Sequence, residues 1–99
     1  MADSEQEIRL LLVEDEAHLA TALKLNLEIE GYAVDIAKTG RAAREYLLNP
    51  NGYGLIILDV MLPDMDGFEL CRRLRDSEIF VPVLMLTARS APEDRVAGL

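Results

Sequence analysis

The sequence predicts one α/β domain with a buried parallel sheet and helices on both of its faces. Three observations carry that prediction. The runs Ile8 to Val13 and Leu55-Ile56-Ile57-Leu58 are aliphatic with little polar alternation, as strands buried on both faces are. Between such runs lie segments whose apolar residues recur at helical spacing. Both runs also end in acids, Glu14-Asp15-Glu16 and Asp59, at the strand edge where open α/β sheets place their sites.

The elements follow in order. Arg9 to Val13 is the first strand. From Glu16 to about Glu30, Leu19, Leu23 and Leu27 recur at i, i+4 and i+8 with Ala20 beside them, one apolar helical stripe. Gly31 stands where a helix wants a left-handed C′ residue. Tyr32 to Ala37 is a shorter, more polar strand, suited to the periphery. Thr39 caps a second helix that carries Ala43, Tyr46 and Leu47 and stops at Asn49-Pro50-Asn51-Gly52.

Leu55 to Leu58 is the third strand. Pro63 to Gly67 forms a loop, and Asp66 with Glu69 makes an acidic capping arrangement. Phe68, Cys71 and Leu74 are expected on the inner face of the third helix. Val81 to Leu86 reads as a fourth buried strand, with Pro82 tolerated at its start. Ser90-Ala91-Pro92-Glu93 opens a fourth helix with a capping box and a first-turn proline.

Ninety-nine residues suit one domain. Residues 1–7 are polar and acidic and read as a loose tail, with 8–99 as the domain. They lack the basic start and apolar core of a signal peptide, and nothing approaches a membrane span in length. A net charge of −8 argues against this piece gripping DNA by itself. The single cysteine, Cys71, excludes an internal disulfide and fits a reducing cytoplasm. It is expected to be a small apolar residue on a helix, and His18 an exposed residue of the first helix rather than a ligand.

Right-handed crossovers bring all strand carboxyl ends to one edge. Glu14, Asp15, Asp59 and Thr87 therefore converge there. Clustered carboxylates repel each other, and a hard divalent cation with oxygen ligands relieves that repulsion, which makes Mg²⁺ the expected occupant.

The motifs Leu12-Val13-Glu14-Asp15-Glu16, Leu58-Asp59-Val60-Met61-Leu62-Pro63, Gly67 and Leu84-Met85-Leu86-Thr87-Ala88-Arg89 together resemble the receiver domain of two-component response regulators. The LTAR sequence and Asp94-Arg95-Val96 with Gly98-Leu99 resemble the OmpR/PhoB branch of transcription factors. The resemblance implies a flavodoxin-like (CheY-like) sheet of strand order 2-1-3-4-(5). A fifth strand bearing a lysine and an aromatic residue, and a fifth helix, would follow Leu99.

It also implies the roles. Asp59 would accept a phosphoryl group from a sensor histidine kinase. Asp15 would ligate Mg²⁺ directly, Glu14 through water, and Met61 through its backbone carbonyl. The Thr87 hydroxyl and the Ala88 N–H would hold the phosphoryl group, while Pro63 and Gly67 shape the loop. The domain would catalyse its own phosphorylation and dephosphorylation and switch a DNA-binding output domain outside this chain.

Alternatives stay open at this point. The chain could be a stand-alone phosphoryl sink, or a haloacid-dehalogenase-like phosphatase, although that chemistry wants an acid where Met61 stands. A flavodoxin-type cofactor module would need a phosphate loop where Glu14-Asp15-Glu16 stands. Without a fifth strand, the apolar run Phe80 to Leu86 would be an open edge, so self-association or element swapping is expected.

Overall fold

The computed structural model describes residues 8–48 and 52–86. The expected N-terminal tail, the Asn49-Pro50-Asn51 turn, Thr87, Ala88 and the fourth helix lie outside the described residues. The elements run β1 (Arg9–Val13), α1 (Ala17–Ile29), β2 (Ala33–Ala37), α2 (Gly40–Leu48), β3 (Tyr53–Asp59), α3 (Gly67–Asp76) and β4 (Val83–Leu86). All pairings are parallel, in the spatial order β2-β1-β3-β4. The predicted fold class and strand order are the ones observed.

Because β1 pairs on both sides, its residues from Leu10 onward are buried. Successive side chains on a strand point to opposite faces, and the core divides accordingly. Leu11, Val13, Ile56 and Leu58 pack on one face with Ala43 of α2 and with Leu70 and Leu74 of α3. Leu10, Leu12, Val34 and Ile57 form the other face, with Ala20, Leu23 and Leu27 of α1. Of the stripe read from the sequence, Ala20, Leu23 and Leu27 pack on this face, while Leu19 is half-buried and lies outside the cluster. Gly31 has φ +105°, the left-handed conformation expected at that C′ position.

Three expectations need correction. First, β3 starts at Tyr53 instead of Leu55 and includes Asp59 as its last residue. The register shifts between Arg9 opposite Tyr53 and Leu10 opposite Leu55, so Gly54 is the extra residue of a local bulge. The Tyr53 hydroxyl fixes this entry by donating to Asp35 Oδ2 at 2.5 Å, and Arg9 pairs with the same oxygen at 3.0 Å.

Second, the inner face of α3 is Gly67, Leu70 and Leu74, with Cys71 at its margin, and Phe68 is 61% exposed. Glycine carries no apolar signal in a sequence, so the apolar pattern alone places the helix phase one residue late. Asp66 sets that phase as the N-cap, its Oδ1 accepting from Glu69 N at 2.7 Å.

Third, β4 is four residues long and only partly buried, with Leu84 half exposed. Pro82 has no N–H to give to a ladder, although its carbonyl still accepts from Ile56 N at 2.9 Å. Among the described residues β4 pairs only with β3.

Candidate functional site at the carboxyl edge of the sheet

The register places the acids. Val13 lies opposite Leu58, so Glu14 and Asp59 leave neighbouring strands at the same level. Glu14 and Asp59 are nearly sealed from solvent, 2% and 3% exposed, and Asp15 is half-buried. One carboxylate oxygen from each of Glu14, Asp15 and Asp59 lies within 4.8 Å of the others.

Backbone amides brace Glu14 and Asp59. Glu14 continues the sheet by donating its N–H to Ala37 O at 2.9 Å. Its Oε2 accepts from Glu16 N at 2.9 Å, closing the turn into α1. Glu16 then caps α1, with Oε1 accepting from Leu19 N at 2.9 Å. Met61 N–H donates to Asp59 Oδ1 at 3.1 Å, which orients the carboxylate at the strand end.

The loop after β3 is tightly closed. Gly67 N–H donates to Val60 O at 2.6 Å, and Met61 forms an isolated antiparallel bridge with Asp66. A Cβ on Gly67 would lie 2.9 Å from Asp59 O, so any side chain there would strain the close approach of α3 to the end of β3. Sequence reasoning missed Asp64, which reaches back to the amides that open α2. Its partners stand more than twenty positions earlier, and no local pattern encodes such a contact.

Of the sequence-predicted site residues, Glu14, Asp15, Asp59 and Met61 come together. Gly67 and Pro63 lie in and beside the loop that joins them to α3. Leu86 lies opposite Asp59, and Thr87 and Ala88, the next two residues of the chain, lie outside the described residues. His18 and the Arg72, Arg73 and Arg75 group are exposed, and Arg72 and Arg73 pair with Glu69.

The three clustered carboxylates of Glu14, Asp15 and Asp59 form an all-oxygen donor set. That chemistry fits a hard cation such as Mg²⁺ and argues against a zinc-type site. Burial of two of the acids makes their mutual repulsion stronger than it would be in water.

A parallel sheet of order β2-β1-β3-β4, with helices on both faces and an acidic cluster at its carboxyl edge, defines the class, a CheY-like α/β fold. The family model for the response regulator receiver domain matches residues 10–99. The transcriptional regulatory protein TcrA of Mycobacterium tuberculosis is 48% identical over 92 residues, which span 93% of this chain and 36% of TcrA. The response regulator ArlR of Staphylococcus saprophyticus is 45% identical over 91 residues, 92% of this chain and 40% of ArlR.

Among solved structures, the non-phosphorylated receiver domain of HemR from Leptospira biflexa has a TM-score of 0.74 at 41% identity. That match covers 93% of this chain and 73% of the HemR chain. This chain belongs to the response regulator receiver domain family, and its relatives are regulators of the OmpR/PhoB type. It spans well under half the length of the curated relatives it matches. Among the described residues, no helix is long and apolar enough to cross a membrane.

Proposed function

We propose that Asp59 is the phosphoacceptor of this receiver domain, taking a phosphoryl group from a phosphohistidine of a sensor histidine kinase. The observation that carries this reading is the placement of Asp59. It is a nearly buried carboxylate at a strand end, oriented by the Met61 amide and within 4.8 Å of the oxygens of Glu14 and Asp15.

An Asp59 carboxylate oxygen attacks phosphorus, the P–O bond forms and the P–N bond to the kinase imidazole breaks. The imidazole leaves with its electron pair and regains a proton from solvent. Water later cleaves the acyl phosphate to carboxylate and inorganic phosphate, which makes the signal transient. The step brings an anionic phosphoryl group to an already acidic patch, so charge neutralisation governs its rate.

Glu14, Asp15, Asp59 and the Met61 carbonyl are the groups that would hold Mg²⁺, which when bound supplies that neutralisation. The chain's own contribution is orientation: Met61 N–H fixes the acceptor, and Glu16 N–H holds the Glu14 carboxylate in the pocket. Thr87 and Ala88 are the proposed phosphoryl-binding pair, on the register that sets Leu86 against Asp59. The signal would pass to a DNA-binding output domain outside this chain, in the cytoplasm.

The test is incubation with a small phosphodonor, followed by intact mass spectrometry, with Mg²⁺ and with chelator. We expect labelling that requires the divalent ion and is lost in Asp59→Asn. Equal labelling of that variant would overturn the assignment. A dehalogenase-type phosphatase would instead turn over phosphomonoesters, and the neutral Met61, where that chemistry needs an acid, speaks against it.

A further inference from the structure

We infer that Asp64 is a positioning residue for the phosphoacceptor, tying the tip of the loop after β3 to the start of α2. The phosphoacceptor role of Asp59 rests on the function proposed above; the tie itself does not. Asp64 Oδ1 accepts from Gly40 N at 2.9 Å and Oδ2 from Arg41 N at 3.0 Å. The first amides of a helix have no intrahelical acceptor, and the positive end of the helix favours a carboxylate.

Thr39 already serves the next amide, its Oγ1 accepting from Ala42 N at 2.9 Å. The capping of α2 is thus shared between a local residue and a distant one. Removing Asp64 leaves the helix a cap but takes one anchor from the loop.

A second contact holds the same junction. A Cβ built on Gly40 would lie 2.7 Å from Met65 Sδ, so the Met65 side chain fills the space that this glycine leaves. Met65 also packs against the core face formed by Leu11, Ile56 and Leu70.

The loop transmits this anchoring to the site because its base is closed. Met61 bridges Asp66, and Gly67 N–H reaches Val60 O. A loop pinned at its base and at its tip has one conformation available, and that conformation brings Met61 N–H to Asp59 Oδ1. The charge on Asp64 is itself favoured. Burial pushes its carboxyl up, but the Gly40, Arg41 and Asp64 amides and the Arg73 charge outweigh burial and hold it below the usual range.

Amide hydrogen exchange on the apo protein tests the inference independently of any phosphoryl chemistry. In Asp64→Ala the Gly40 and Arg41 amides lose protection, and we expect the Met61 amide to exchange about three to ten times faster, the factor for one modest hydrogen bond. The Leu11 and Ile56 amides should be unchanged. Asp64→Asn, which keeps one acceptor oxygen, should recover part of the Met61 protection, and it serves if the alanine variant is poorly folded.

Met61 exchange that stays at the wild-type rate while Gly40 and Arg41 lose protection would overturn the inference. Phosphodonor labelling run in parallel separates the two readings. Wild-type protein that takes no phosphoryl group counts against the function, while exchange still decides the role of Asp64.

Discussion

Gly67→Ala is the substitution in which fold and site are most directly coupled. A Cβ at this position would lie 2.9 Å from Asp59 O, 3.2 Å from Val60 Cα and 3.3 Å from Leu58 Cγ. Two of those three atoms are backbone and cannot rotate away. The helix cannot slide back easily either, because Gly67 N–H is bonded to Val60 O at 2.6 Å. Overpacking of this kind costs about 1–3 kcal/mol. Alanine returns up to about 1 kcal/mol through its better helix propensity. The net expectation is a loss of about 1 kcal/mol, which for a domain of this size lowers Tm by about 5 °C. The strain falls on the carbonyl of Asp59 and on Val60, so the acceptor carboxylate should move as well. Urea or thermal unfolding gives the stability, and the initial rate of labelling by a small phosphodonor gives the site effect. A variant as stable as wild type and labelled at the same rate would refute the reasoning that this glycine spaces α3 from the acceptor strand.

Other outcomes follow from the same packing and charges. Leu70→Ala should cost about 2–5 kcal/mol in denaturant unfolding because the side chain is fully buried, whereas Phe68→Ala should stay within about 0.5 kcal/mol. The reverse order would restore the inner face read from the sequence. Burial first, then the hydrogen bond and charge of Asp35, raise the Tyr53 hydroxyl well above its ordinary 10.0. Its neutral form therefore contributes stability that is complete below pH 10.0 and is lost as pH rises through the higher folded value. Tyr53→Phe should flatten that alkaline loss in unfolding measured against pH. Asp15→Asn should weaken a Mg²⁺ titration and slow phosphodonor labelling while leaving the unfolding midpoint nearly unchanged; an unaltered titration would remove Asp15 from the metal set.

What the sequence reveals about this domain depends on how local the signal is. The buried strands were legible because Leu10 to Val13 and Leu55 to Leu58 have no polar residue to place, and burial on both faces is what such runs require. The pocket was legible from the same runs, since a parallel sheet delivers whatever follows each strand to one edge. Helix α1 announced its inner face through Ala20, Leu23 and Leu27. Helix α3 did not, because its closest approach to the sheet is made by Gly67, a residue chosen for lacking a side chain. The start of β3 was hidden by Gly54, which shifts the register, and by Tyr53, which enters through a contact with Asp35. Asp64 was invisible for a related reason, since its partners lie on α2 and only the fold brings them near. β4 begins at Val83 rather than Val81 because apolar composition does not show where a ladder starts, and Pro82, which has no N–H to donate, stands just before it.

The claim at the centre of this account is that the acidic pocket presents Asp59, and no other carboxylate, for phosphorylation. Reduction of the phosphodonor-treated protein with borohydride converts an aspartyl phosphate to homoserine, and peptide mass spectrometry then locates the changed residue. Homoserine is expected at position 59 alone, dependent on Mg²⁺ during labelling. Homoserine at position 15, the corresponding alcohol at Glu14, or labelling outside the pocket would contradict that claim.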